Sequence, residues 1–196
     1  PSVVISSDAG HGVGYTGIRI RGTDITRINV TLNGIPLNDP ESQGVFWVNM
    51  PDLAASTSSI LVQRGVGSSA NGAAAFGASI NIQTLDIQAD PYAELQSSAG
   101  SFQTYKNSLR FGTGLIDGKY TLDGRLSAIH SAGFIDRATS DLRSFYLSGA
   151  YYGTQSVLKL IVMSGKEKTY QAWDGVPSYI LDTNRRWNGI GAYTDA

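Results

Sequence analysis

The chain contains no cysteine, which excludes disulfides and thiolate metal sites. It has only two histidines, His11 and His130. Neither has an acidic partner at ligand spacing, so the sequence offers no metal centre. Charged residues make up 16% of the chain, against roughly 25% in ordinary soluble domains. The net charge is −1, and no basic field points to nucleic acid. No apolar run reaches the roughly 18 residues of a transmembrane helix. The chain begins at Pro1 without a methionine or signal peptide and ends in polar sequence. It therefore reads as a piece of something larger, and the missing targeting signal says nothing about location. Glycine, by contrast, is plentiful, at 23 of 196 residues.

The glycines divide the chain into two kinds of sequence. Up to Thr84 the pattern is short strands and glycine-rich loops, a small α+β unit. Ile18–Arg21 alternates apolar and basic residues. Asn29–Leu32, Asn33-Gly34 and Ile35–Leu37 read as strand, tight turn and strand, with Asn-Gly suited to a type I′ turn. Pro51–Ser59 suits a short helix with Pro51 and Asp52 at its start. Strands at Ile60–Val62 and Ile80–Ile82 flank a loop, Gly65–Ala78, whose Gly, Ala and Ser residues are too small to build a core.

From Tyr92 onward the period is two. In Lys119–Ile129, Tyr120, Leu122, Leu126 and Ala128 share one face, and Thr121, Asp123, Arg125 and Ser127 the other. Leu142–Tyr152 and Thr104–Gly112 repeat this alternation; Ser156–Met163 and Ala93–Ala99 do so less cleanly. After the first strand pair, short connections (Gly112–Lys119, Gly153–Gln155) alternate with long ones (His130–Asp141, Gly165 onward). Tight turns on one side and long loops on the other mark a transmembrane β-barrel. Aromatics near both strand ends, Phe111, Tyr120 and Tyr151 against Tyr105 and Phe145, match its two girdles. A soluble antiparallel sandwich shows the same alternation, so strand pattern alone leaves both architectures open.

Motifs that suggest chemistry have plain readings beside them. Gly12-Val13-Gly14-Tyr15-Thr16-Gly17 matches a dinucleotide fingerprint, but a strand follows where the cofactor needs a helix N-terminus. No cofactor is expected. Ser7, Asp8 and His11 lie close together without a nucleophile elbow, and no acid, base or nucleophile converges elsewhere; no enzyme is expected. Asn38–Asn49 sets Phe46 and Trp47 beside Asn38, Asp39 and Gln43, a mixture suited to ligand contact or to anchoring the loop on its own domain. Tyr170, Trp173 and Asp174 pose the same question and lean toward ligand contact. Arg21 and Arg64 each precede a glycine, and on the residues alone both read as solvated.

Taken together, five segments resemble the plug domain of TonB-dependent outer-membrane receptors. They are Ile18–Gly22, Val30–Asp39, Ile60–Gly65, Gly72–Gly77 and Ser79–Thr84. The resemblance implies a plug at residues 1–88, lacking its first part, and the start of an outer-membrane β-barrel at 89–196, about five of roughly 22 strands. It implies import of a scarce chelate or nutrient (ferric siderophore, haem or cobalamin) driven through TonB by a segment outside this chain. A glycan importer or a non-transporting signalling receptor of the same build is the alternative. Arg64-Gly65-Val66-Gly67 departs from the lysine-aspartate-alanine form usual in glycan importers. In the family, the arginines at positions 21 and 64 latch the plug onto barrel glutamates. Ligand contacts are expected from Asn38, Asp39, Gln43, Phe46, Trp47, Tyr170 and Trp173. Expected partners are TonB, the small-molecule ligand and outer-membrane lipid.

Overall fold

A computed structural model describes residues 3–66, 76–84, 88–170 and 172–189. The chain divides into two compact units. The first takes in Pro1–Ser6, Gly17–Trp47 and Asp52–Ile87. The second takes in Gln88–Ala196 together with two excursions from the N-terminal half, Ser7–Thr16 and Val48–Pro51. The strands are β1 (Val3–Ser7), β2 (Thr16–Ile20), β3 (Ile28–Leu32), β4 (Ile35–Pro36), β5 (Thr57–Arg64) and β6 (Ala78–Thr84). They continue with β7 (Tyr92–Gly100), β8 (Thr104–Gly112), β9 (Tyr120–Ser131), β10 (Ser140–Tyr152) and β11 (Val157–Thr169).

In the first unit a four-stranded sheet runs β4-β3-β6-β5. Every residue of β3 is buried, and Ile28, Val30 and Leu32 pack with Ile80 and Ile82 of the parallel strand β6 into the core. The expected Asn33-Gly34 turn is present: both residues have positive φ, 51° and 83°, as a type I′ turn requires. Asn33 also ties the turn to β6, its Oδ1 accepting from the Thr84 amide at 2.9 Å. The predicted helix at Pro51–Ser59 shrinks to a 3-10 turn at Leu53–Ser56. Asp52 sits in the left-handed region and forms no side-chain cap, and the hydroxyl-rich Thr57-Ser58-Ser59 continues as strand. The loop Gly65–Ala78 falls largely outside the described residues. At its C-terminal end, a Cβ on Gly77 would lie 2.6 Å from the Arg27 carbonyl oxygen, the close backbone approach that glycine permits.

The second unit is an antiparallel meander, β7-β8-β9-β10-β11, each strand paired with its sequence neighbour. The predicted alternation holds, but the strands run further than expected. The β9–β10 ladder reaches Ser131↔Ser140, and the β10–β11 ladder reaches Ser140↔Thr169. His130, expected in a polar loop, is therefore a strand residue paired across to Asp141. The connections between these strands are correspondingly more even in length than the sequence suggested, so turn asymmetry is a weaker signal than it looked.

The burial of this sheet is inverted. On β9 the polar face is inside: Arg125 is 3% exposed and Ser127 is buried, whereas Leu126 is 53% exposed. On β10, Tyr146 and Ser148 are buried while Phe145, Leu147 and Tyr151 stand outside. Water would enforce the opposite arrangement. A polar inner face and an apolar outer face are what a barrel wall in lipid presents.

Candidate functional site

The inner face of the meander is held by polar contacts between strands. Tyr92 donates its hydroxyl to Asp123 at 3.1 Å. Arg110 pairs with Glu94 at 3.4 Å. Arg125 donates to Ser144 Oγ at 3.1 Å, and Ser144 donates in turn to the Pro51 carbonyl at 2.8 Å. The last contact joins the wall to the excursion Val48–Pro51. Gly165 serves the same contact, since a Cβ there would fall 2.6 Å from the Pro51 ring.

The other excursion, Ser7–Thr16, holds the glycine motif. It consists of turns and bends running into β2, without a helix. Gly14, at φ +87°, lies where a Cβ would be 2.6 Å from Ser140 Oγ. Ala9 joins Ala138 and Ala172 in a small buried cluster beside Ile135. Its carbonyl accepts from the amides of Phe134 and Ile135 at 3.0 and 3.2 Å. His11 meets Phe102 edge-on at 6.5 Å, and Phe102 meets Phe134 at 5.4 Å. Arg186 lies over Phe102, donates to the Phe134 carbonyl at 2.8 Å and pairs with Asp136 at 3.3 Å. Sequence reasoning missed this assembly. Its members come from five separated segments, and no local pattern links them.

The predicted ligand residues fall into two groups. Tyr170 and Trp173 belong to the second unit; both are exposed, and Trp173 meets Tyr15 edge-on at 6.4 Å. The remainder lie on Asn38–Trp47 in the first unit. Asn38 uses its side-chain amide within the loop. Oδ1 accepts from the Val30 amide at 2.8 Å, and Nδ2 donates to the carbonyls of Ile28 and Gln43 at 2.9 and 2.8 Å. The side chain thus completes the ladder of β3 beyond the short strand β4. Asp39 Oδ1 accepts from the amides of Glu41 and Ser42, both at 2.8 Å. These backbone bonds hold its carboxyl below the usual carboxylate range. Gln43 adopts φ +57° and donates to the Pro40 carbonyl. The aromatic pair divides: Phe46 is exposed, while Trp47 turns inward to line a small hollow with Ile18, Ile25, Ile28, Val30 and Val45. Phe46 in the first unit, and Tyr170 and Trp173 in the second, keep exposed aromatic rings.

Arg21 and Arg64 differ in setting. Arg21 is exposed at the tip of a two-residue turn in which Arg21 and Gly22 have φ 52° and 80°. Ile20 and Thr23 close it with reciprocal backbone bonds at 3.2 and 3.0 Å. A non-glycine residue here is uncommon, and the turn projects the guanidinium outward. Arg64 is the exposed last residue of β5, and the Gly65 amide after it bonds the Gly77 carbonyl at 2.9 Å. Among the described residues no cluster of His, Asp or Glu is arranged to hold a metal.

Residues 1–79 match the TonB-dependent Receptor Plug Domain. No curated protein matches the chain by sequence. Among solved structures, the ferric citrate transporter FecA is similar at TM-score 0.71 and 18% identity, over 96% of this chain and 30% of its own. The siderophore receptor PirA from Acinetobacter baumannii is similar at 0.66 and 18%, over 89% of this chain and 29% of its own. The pyoverdine receptor FpvA from Pseudomonas aeruginosa PAO1 is similar at 0.65 and 16%, over 85% and 24%. The chain thus spans about a quarter to a third of the length of these proteins. At such identities the likeness is one of fold, and that fold accounts for the inverted sheet. Residues 1–79 thus carry a TonB-dependent receptor plug domain, and the chain as a whole shares the fold of these structures, a plug followed by antiparallel strands.

Proposed function

We propose that this chain is the plug and first wall strands of an outer-membrane receptor that imports a scarce nutrient or metal chelate. Ferric siderophore, haem or cobalamin is the substrate class, with energy supplied through TonB. The observation carrying this reading is the inverted meander attached to a plug sequence: a wall polar inside and apolar outside encloses a wet lumen within lipid. The domain reading is a plug over residues 1–88 and a barrel wall over 89–196, with Ser7–Thr16 and Val48–Pro51 as plug segments that pack on the wall. Asp39, Phe46, Tyr170 and Trp173 are assigned to ligand contact. Arg21 and Arg64 are assigned to the latch between plug and barrel. The proteins of similar fold include a ferric citrate transporter, a siderophore receptor and a copper transporter, which supports import of a metal or its chelate. The test is deletion of the full-length gene, followed by growth on iron chelates, haem or cobalamin supplied one at a time. The proposal expects a defect on one of them; normal growth on all would overturn it.

A further inference from the structure

The register of the meander sets its outward side chains in transverse rows. Leu109, Leu126, Phe145 and Ser164 form one row, and Asn107, Ala128, Arg143 and Lys166 the next toward the β9–β10 connection. Beyond them lie Tyr105, His130, Asp141 and Lys168. Apolar residues thus give way to cations within one step along the strands. From Tyr151 up to Phe145 the apolar band covers six residue steps, about 20 Å of strand at roughly 3.3 Å each. Strands of 12 and 13 residues exceed the roughly 9–11 needed to cross a bilayer, so the cationic rows lie at its rim.

Three observations make these rows more than scattered surface charge. Arg143 and Lys166 are direct cross-strand partners, and like charges so placed repel each other. Arg143, Lys166 and Lys168 make no hydrogen bond or ion pair among the described residues. The one outward carboxylate in the two rows, Asp141, is engaged by His130 at 2.7 Å. Glu167 lies between the lysines in sequence but points to the inner face, across from buried Leu142. Finally, the outer face carries a shallow groove of about 620 Å³ at this boundary. Its lining includes the apolar Leu95, Leu109, Leu126 and Phe145 together with the cations Arg143 and Lys166.

We propose that this groove binds an anionic lipid of the surrounding leaflet. The phosphate sits between Arg143 and Lys166, and an acyl chain lies along Leu126 and Phe145. A phosphate relieves the repulsion of the two cations and accepts charge-assisted bonds from both, while the apolar lining takes the tail. A free anion would leave that apolar lining uncovered, and a neutral lipid would leave the cations unpaired.

This inference rests on the outward face meeting lipid and is independent of which nutrient is imported. The test uses the full-length receptor carrying this chain in neutral detergent, with folding checked by heat-modifiable gel mobility. Diphosphorylated lipid A, phosphatidylcholine and inorganic phosphate are the probes, each followed by native mass spectrometry. Lipid A is expected to remain as a discrete adduct, and the other two are not. The variant Arg143→Gln with Lys166→Gln should lower lipid A retention by about tenfold or more. Arg143→Lys with Lys166→Arg should retain it, as should Lys119→Gln at the opposite rim. Equal retention in the Gln variant, equal binding of phosphatidylcholine, or displacement by inorganic phosphate would each overturn the proposal. A receptor soluble without detergent would instead refute the lipid-facing reading. Absence of a growth defect would leave the adduct unaffected.

Discussion

Leu147→Arg separates a lipid-facing wall from a water-facing sheet. Leu147 lies near the middle of the outward band, between Phe145 and Tyr151 on β10, and is 38% exposed. It sits directly across from Gly124 on one side and Val162 on the other. If the outer face met water, an arginine there would be solvated, and the change would stay within about 0.5 kcal/mol. Near the bilayer midplane, an outward arginine on a barrel costs about 2–4 kcal/mol. That corresponds to roughly thirty- to nine-hundred-fold in the folding equilibrium. The assay is reversible urea unfolding of the full-length receptor into phosphatidylcholine vesicles, followed by tryptophan fluorescence. Arg143→Leu, at the rim of the same strand, serves as the depth control and should change stability far less. A loss below about 0.5 kcal/mol for Leu147→Arg would refute the assignment of this face to lipid.

Three further outcomes follow from specific contacts. Asn38→Ala leaves the Val30 amide and Ile28 carbonyl of a buried strand without their side-chain partner; at about 1–3 kcal/mol for each such group, a loss of roughly 2–6 kcal/mol is expected in the same unfolding assay. Gly124→Val places a Cβ 2.3 Å from the Phe111 ring and should cost about 1–3 kcal/mol, with much of it recovered when Phe111 is also changed to Ala. Arg21→Ala combined with Arg64→Ala should raise leakage of large antibiotics through the intact receptor in cells, whereas unchanged permeability would mean that the two arginines are only solvated.

What the sequence revealed, and what it hid, follows from the range of the interactions. The period-two pattern of Thr121, Asp123, Arg125 and Ser127 against Tyr120, Leu122 and Leu126 located the strands well, because backbone geometry alone forces side chains to alternate. Alternation does not say which face is inside, so the sandwich and the barrel stayed open until burial resolved them. Strand ends were missed where composition turned polar, at Ser131, Ser140 and Ser164–Thr169. The hydrogen-bond ladder continues past the apolar band regardless of side chain, which also moved His130 from loop to strand. The backbone bonds of Asn38 were not legible, because a side-chain amide reads the same in sequence whether it faces a ligand or its own backbone. Trp47 and Phe46, adjacent and alike in the sequence, divide only because the loop turns one inward over Ile28 and Val30. The cluster of Ala9, Phe102, Phe134 and Arg186 brings together four distant segments and leaves no local trace.

The central claim, that the meander is a membrane wall with an inverted face, is tested most directly by site-directed spin labelling along β10. The chain has no cysteine, so single cysteines placed at Ser144 through Ser148 and at Tyr151 give one label each within it. The account predicts that labels at Phe145, Leu147 and Tyr151 in vesicles collide with dissolved oxygen and not with a water-soluble nickel chelate. Labels at Ser144, Tyr146 and Ser148 should be shielded from oxygen in the bilayer. Strong nickel collision at Phe145, Leu147 and Tyr151 would contradict it, because those side chains would then face water.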